Sequence, residues 1–424
     1  MPRRALALVA GLIGLSIAAQ AHAGWVRTWA AAPEPPTAGF GPFPATPSFE
    51  DQTVRQVVRV SAGGGQVRVR LTNEYGAKAL RIGAARIALA GPDGTIRPGT
   101  DHILKFGGSS SATIPAGAPL VSDPVRMDVH ALSSLAVSLY LPEQTGQCSC
   151  HQTSMQTLYL ADHGDQTGAA KIPGQERPFP GPRVFLSGID VDAAPAVRTV
   201  VLFGDSITDG VGSTSNANHR WPDLFADRLA RHHIVLATAN QGISGNRVLR
   251  DGAAQSALAR FDRDVLAVPG AATVVVFEGV NDLGRGYPPP AKPGAPSFGG
   301  APEPVTADEM IAGYRQLIAR AHGSGLRVIG ATIAPYGGAS YWSEQGEAVR
   351  AAINAWIRTS RAFDGVIDFD AALRDPANPT QIRAGYHAGD HLHGSDAGYQ
   401  VMADAIDLSL FTSKPGRHAA TKRH

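Results

Sequence analysis

Val197-Arg198-Thr199-Val200-Val201-Leu202-Phe203-Gly204-Asp205-Ser206 decides how the second half of this chain folds. The run is almost wholly apolar up to Phe203 and then stops at a glycine. Such a run suits a strand buried on both faces of a parallel sheet. Downstream, strand-like and helix-like segments alternate. Residues 222–231, 254–268, 306–322, 343–360 and 395–408 read as helices, and 234–239, 273–277, 326–333 and 365–368 as strands. Pro222 suits the first turn of its helix. Thr306 with Glu309 three residues on is a capping-box pair. Alternating strands and helices predict an α/β domain over residues 197–411, a parallel sheet with helices on both faces.

Upstream the rhythm differs. Val67, Val69 and Leu71 alternate with Arg68, Arg70 and Thr72, the period of a half-buried strand. Residues 54–60, 82–89, 135–141, 158–160 and 184–189 are further strand candidates. Between them lie turn residues such as Gly91-Pro92-Asp93-Gly94. Many short strands without a helix predict an all-β sandwich, jelly-roll-like, over residues 24–192. A short Ala/Pro stretch, 193–196, joins the two regions.

The ends are read apart from the fold. Arg3 and Arg4 precede an uncharged apolar stretch, 5–19, and Ala21-His22-Ala23 is a small-x-small cleavage site. Residues 1–23 are therefore expected to be a secretion signal, too short in its apolar part to span a bilayer, which needs about 20 residues. Residues 412–424 are expected to be a disordered basic tail. The formal charge of +2 comes from these ends: without Arg3 and Arg4 it is 0, and without the four basic residues of the tail it is −4. No clustered basic face indicates nucleic acid, and no segment indicates a membrane span. Export would place Cys148 and Cys150 in an oxidising compartment, and their spacing leaves their state open. The proline-rich segment 287–305 has no periodicity and follows a predicted strand end, the position of a cleft rim or a disordered loop.

Ligands of open parallel sheets sit beyond the C-terminal strand ends. Three predicted strands end in polar blocks there: Gly204-Asp205-Ser206, then Asn240-Gln241-Gly242-Ile243-Ser244-Gly245-Asn246, then Gly279-Val280-Asn281-Asp282. Asp390-His391-Leu392-His393 precedes the last helix. Acyl transfer needs a nucleophile, a base, an orienter for the base, and donors for the oxyanion. Ser206 is the candidate nucleophile, His393 the base and Asp390 the orienter. The backbone N–H groups of Ser206 and Gly242 and the side-chain amide of Asn281 are candidate oxyanion donors. Asp205 and Asp282 are expected to support turns. His391 competes with His393 for the base role. A metal reading of His387, Asp390, His391 and His393 leaves the serine, glycine and asparagine blocks without a use, so neither metal nor cofactor is expected. Asn246, Tyr336 and Trp342 are candidate cleft residues. Each block alone is an ordinary turn; their joint occurrence at strand ends carries the reading.

These four blocks, in this order over residues 197–408, resemble the GDSL family, also called SGNH hydrolases. Gly398-Tyr399 fits the family's closing motif, and Ile207 stands where the eponymous leucine would be. The resemblance assigns the family's named residues to Ser206, Gly242, Asn281 and His393, with Asp390 as its aspartate. It implies a flavodoxin-like three-layer α/β/α fold and hydrolysis of carboxylic esters through an acyl-enzyme. The N-terminal half is similar to a β domain of some secreted, carbohydrate-active members, which implies O-deacetylation of a small-molecule or polysaccharide ester. A lipase or arylesterase and a non-catalytic carbohydrate-binding protein are the alternatives.

Overall fold

The computed structural model describes residues 24–39, 44–178, 181–289 and 301–412. The expected signal segment, nearly all of the expected tail and the middle of the proline-rich segment lie outside the described residues.

Five parallel strands form the sheet that carries the polar blocks: β1 (Thr199–Gly204), β2 (Ala237–Gly242), β3 (Ala271–Phe277), β4 (Arg327–Ala331) and β5 (Gly365–Ile367). Their order is 2-1-3-4-5, the doubly wound flavodoxin-like arrangement. β1 lies between β2 and β3, and all six of its residues are buried. That position explains why its sequence is a continuous apolar run. The helices are α1 (Ser206–Asp209), α2 (Trp221–Arg231), α3 (Ala257–Phe261), α4 (Val280–Gly286), α5 (Ala307–Gly323), α6 (Glu344–Thr359), α7 (Phe369–Leu373), α8 (Asp396–Ala405) and α9 (Ser409–Thr412) among the described residues. Thr306 and Glu309 make both bonds of the capping box at α5. Phe203 packs edge-on against Phe261 at 5.5 Å, and fully buried Trp221 against Phe369 at 5.4 Å. Truncating such a ring to alanine costs about 3–5 kcal/mol.

Two differences matter for the site. β2 starts three residues later than the apolar triplet Ile234-Val235-Leu236 suggests. Val235 is 68% exposed, and pairing with β1 selects the weaker strand former Ala237–Gly242 instead. Val280, Asn281 and Asp282, read from sequence as part of a polar strand end, form the first turn of helix α4.

The N-terminal half is a mostly antiparallel β domain. One sheet orders Gly24–Ala30, Leu186–Ala193, Gly64–Thr72 and Pro119–Val121. The other runs from Gly174–Arg177 through Leu158–Ala161, Gln52–Arg59, Ser134–Leu141 and Ala84–Leu89 to His102–Ile103. Val67, Val69 and Ile189 of the first share one core with Val54, Val137 and Ile87 of the second. The strand Gly24–Ala30 is not evident in the sequence; it closes the first sheet against the parallel sheet. Cys148 and Cys150 are joined in a disulfide, with Cα atoms 5.2 Å apart.

The two halves dock through a polar seam. Arg27 N donates to Pro269 O at 2.9 Å, and Thr199 Oγ1 to Arg27 O at 3.1 Å. Ser61 Oγ donates to Thr238 O at 3.0 Å, and Thr238 N to Ser61 Oγ at 2.8 Å. Arg59 pairs with Asp227 at 2.6 Å. Ala32 packs with Ile243 and Ala254, so the β domain touches the loop that follows β2.

Candidate active site

The site begins where β1 stops. A Cβ on Gly204 would sit 2.1 Å from Thr208 Oγ1 and 2.6 Å from Phe277 O, so only glycine lets the chain turn here. Asp205 caps α1 by accepting from Ile207 N at 2.9 Å. Ser206 opens that helix, where backbone N–H groups have no intrahelical acceptor. Gly210, at φ 100°, ends the helix after one turn.

Ser206 Oγ lies 2.8 Å from His393 Nε2, and His393 Nδ1 lies 2.6 Å from Asp390 Oδ2. Asp390 Oδ1 also accepts from the backbone N–H groups of Leu392 and His393, each at 3.0 Å. Burial would raise the Asp390 carboxyl. The hydrogen bond and charge of His393, with those two N–H groups, outweigh burial and hold it at about 2. An ionised Asp390 accepts the Nδ1 proton of His393, which leaves Nε2 as an acceptor for the Ser206 hydroxyl. His391 turns away and stacks on His387 with centroids 4.3 Å apart. Among the described residues no group of three or more His, Cys, Asp or Glu is placed to hold a metal.

Ser206, His393 and Asn281 line one cleft of about 420 Å³. Asn281, in the first turn of α4, donates to Asn246 O at 2.9 Å, and Tyr341 Oη lies 3.4 Å from its Oδ1. The second amide proton of Asn281 is left for the cleft. Gly242 is placed differently from the sequence expectation. Its N–H donates to Asn240 Oδ1 at 2.9 Å, and it does not line this cleft. Gly245, three residues on and at φ 76°, lines it instead. What fixes residue 242 as glycine is packing: an added Cβ would lie 2.3 Å from Asp209 N and 2.8 Å from Asp209 Cα.

Residues 202–401 match the GDSL-like lipase/acylhydrolase family. The chain is a carboxylic ester hydrolase. Similar solved structures include a GDSL-like lipase from Bacteroides thetaiotaomicron VPI-5482, 18% identical, covering 50% of this chain and 88% of that one at a TM-score of 0.36. A lipase/acylhydrolase from Enterococcus faecalis is 22% identical, covering 49% and 93% at 0.37. A variant of an acetyl-xylooligosaccharide esterase from Geobacillus is 22% identical, covering 51% and 95% at 0.38. Comparison with curated protein sequences gives no significant match.

Beneath the cleft lies a buried arginine that sequence reasoning misses. Arg260 is 1% exposed and lies over the Phe203 ring. It donates to Gly204 O at 2.9 Å, Gln241 O at 2.8 Å, Asn246 Oδ1 at 2.8 Å and Glu278 Oε1 at 3.1 Å. One guanidinium thus ties together the ends of β1 and β2, the residue after β3, and the asparagine that holds Asn281. Around it, burial raises the carboxyl of Asp205 to about 7, against the N–H of Ile207 and the charge of His393. Burial likewise raises Asp282 to about 6, against the N–H groups of Val248 and Leu249, from which it accepts at 2.8 and 3.2 Å. Asn246 is buried and positions Asn281 without lining the cleft; Tyr336 is fully buried, and Tyr341 is the aromatic ring at the cleft. The β domain contributes to the cleft: Glu34, Thr37, Gln152 and Thr153 line it together with Ser206. That contribution has no signal in the sequence, because these residues are distant in the chain from every polar block.

Proposed function

We propose that this GDSL hydrolase is an exported serine esterase, acting in the periplasm or outside the cell, that removes a short acyl group, acetyl foremost, from a carbohydrate. The hydrogen-bonded chain Ser206–His393–Asp390, opening onto the cleft at 2.8 and 2.6 Å, carries the reading. His393 Nε2 takes the Ser206 hydroxyl proton as Oγ attacks the ester carbonyl carbon. Asp390 holds the ring in place and stabilises the imidazolium. The oxyanion is met by the N–H of Ser206, the backbone of Gly245 and the amide of Asn281. The alcohol leaves with the proton from His393. Water, deprotonated by the same nitrogen, then releases the acid and restores Ser206.

The carbohydrate part rests on the expected signal segment and on the polar β-domain wall, where Gln152, Thr37 and Thr153 supply donors and acceptors. A second reading, esterase action on lipid-like or aryl esters, is favoured by the apolar side chains Val211, Ala253, Leu392, Pro35 and Pro44 on the same cleft. Acetate release from a panel of acetylated oligosaccharides and polysaccharides, set beside aryl and long-chain esters, separates the two. The highest kcat/KM on an acetylated sugar supports the first; preference for long-chain esters over every sugar overturns it.

A further inference from the structure

Behind the nucleophile helix, a histidine of the β domain meets a carboxylate of the hydrolase domain. His151 is 5% exposed, and both of its ring nitrogens face only oxygens. Nδ1 lies 3.0 Å from Ala32 O and 3.2 Å from Glu34 Oε1; Nε2 lies 2.8 Å from Thr153 O and 2.9 Å from Asp209 Oδ1. A carbonyl oxygen cannot donate, so a neutral ring would point a lone pair at either Ala32 O or Thr153 O. Only the imidazolium satisfies both sides.

Asp209 is the last residue of α1, one turn after Ser206. Its other oxygen, Oδ2, accepts from Ser244 Oγ at 2.7 Å, and its N–H backs onto Gly242. The same carboxylate therefore joins the nucleophile helix to the loop 242–245 that borders the cleft. Ala32, whose carbonyl anchors His151, packs its methyl group on Ile243 of that loop. Without a counter-charge, a 4% exposed carboxylate would be left buried at the end of the nucleophile helix.

We propose that His151 is a positioning residue for hydrolysis: from the β domain it neutralises Asp209 and clamps α1 to the loop 242–245, so that the β domain completes the active site. The proposal rests on Ser206 being the nucleophile, and the test keeps the two apart. A fluorophosphonate probe labels an activated serine, losing fluoride as the serine oxygen bonds to phosphorus. Its labelling rate is measured together with kcat, KM and Tm for 4-nitrophenyl acetate. Wild-type protein not labelled at Ser206 sinks the nucleophile assignment itself. With Ser206 labelled, His151→Gln is expected to slow labelling and kcat by about 10- to 100-fold, the scale of a sub-ångström to 1 Å misplacement, with KM changed less than about threefold. His151→Gln/Asp209→Asn removes both buried charges and is expected to recover kcat at least about fivefold over His151→Gln. Ser244→Ala probes the same clamp without exposing a charge, and is expected to lower kcat several-fold at unchanged KM even where His151→Gln does not fold. Unchanged labelling and kcat in folded His151→Gln, or no recovery in the double variant, would overturn the proposal. Where His151→Gln does not fold, wild-type kcat in Ser244→Ala does so.

Discussion

Gly242→Ala isolates the contact between β2 and the nucleophile helix. The substitution keeps the backbone N–H and adds one methyl group. That methyl would lie 2.3 Å from Asp209 N, whereas ordinary van der Waals contact starts at 3.4 Å. The nearby atoms are backbone, Asp209 Cα and Thr208 C at 2.8 Å among them, so no rotamer change relieves the clash. α1 and the end of β2 must separate by about 1 Å, and Ser206 moves with α1. Displacement of reacting groups on that scale costs about 10²-fold in kcat. Overpacking a filled site adds about 1–3 kcal/mol of destabilisation. The assay is kcat and KM on 4-nitrophenyl acetate, with Tm and circular dichroism to confirm folding. The expected result is a folded, less stable variant with kcat down about 10²-fold and KM little changed. A folded variant with kcat within about threefold of wild type would mean that the contact does not set the position of Ser206.

Asp390→Asn replaces an acceptor for His393 Nδ1–H by a group that can donate, favouring the wrong tautomer; kcat should fall about 10²–10⁴-fold in a steady-state assay, with Tm close to wild type. His151 should make the protein alkali-labile. Burial would lower it, but the charge and hydrogen bond of Asp209 and the charge of Glu34 outweigh burial and hold it at about 9. Its folded value lies above the ordinary 6.5, so the stability it contributes is full below about 6.5 and is lost as pH rises through 9. Burial raises Glu34 to about 7 despite the pull of His151, so that group too contributes stability at low pH that is lost as pH rises through 7. Tm should therefore decline from about pH 6 to 10, and the decline should be shallower in His151→Gln/Asp209→Asn; parallel curves would contradict the linkage. Hydrolysis should survive EDTA, and activity lost to the chelator and restored by zinc would promote the histidine cluster to a metal site.

Much of the hydrolase half is legible because its signals are local. A continuous apolar run means a strand buried on both faces, and Thr306 with Glu309 states where α5 begins. Asp390 and His393 are three residues apart, so one loop presents both. What is not legible depends on tertiary pairing. Reading the second strand as ending at residue 239 puts Gly242 three residues beyond it. The register of β2 with β1 carries the strand on to Gly242, and the glycine three residues beyond is then Gly245. Arg260 sits in a segment that reads only as a helix, and nothing local shows that its guanidinium turns inward to hold the strand ends. His151 and Asp209 are 58 residues apart and meet only because the two halves dock.

In the proposed reaction Ser206 forms the acyl-enzyme. Rapid acid quench of the wild-type enzyme during turnover of 4-nitrophenyl acetate, followed by peptide mass spectrometry, tests it most directly. One acetyl group is expected on the peptide that contains Ser206, and neither acetylation nor hydrolysis in a Ser206→Ala variant of unchanged Tm. Acetyl transfer to another residue, or sustained turnover in Ser206→Ala, would contradict it.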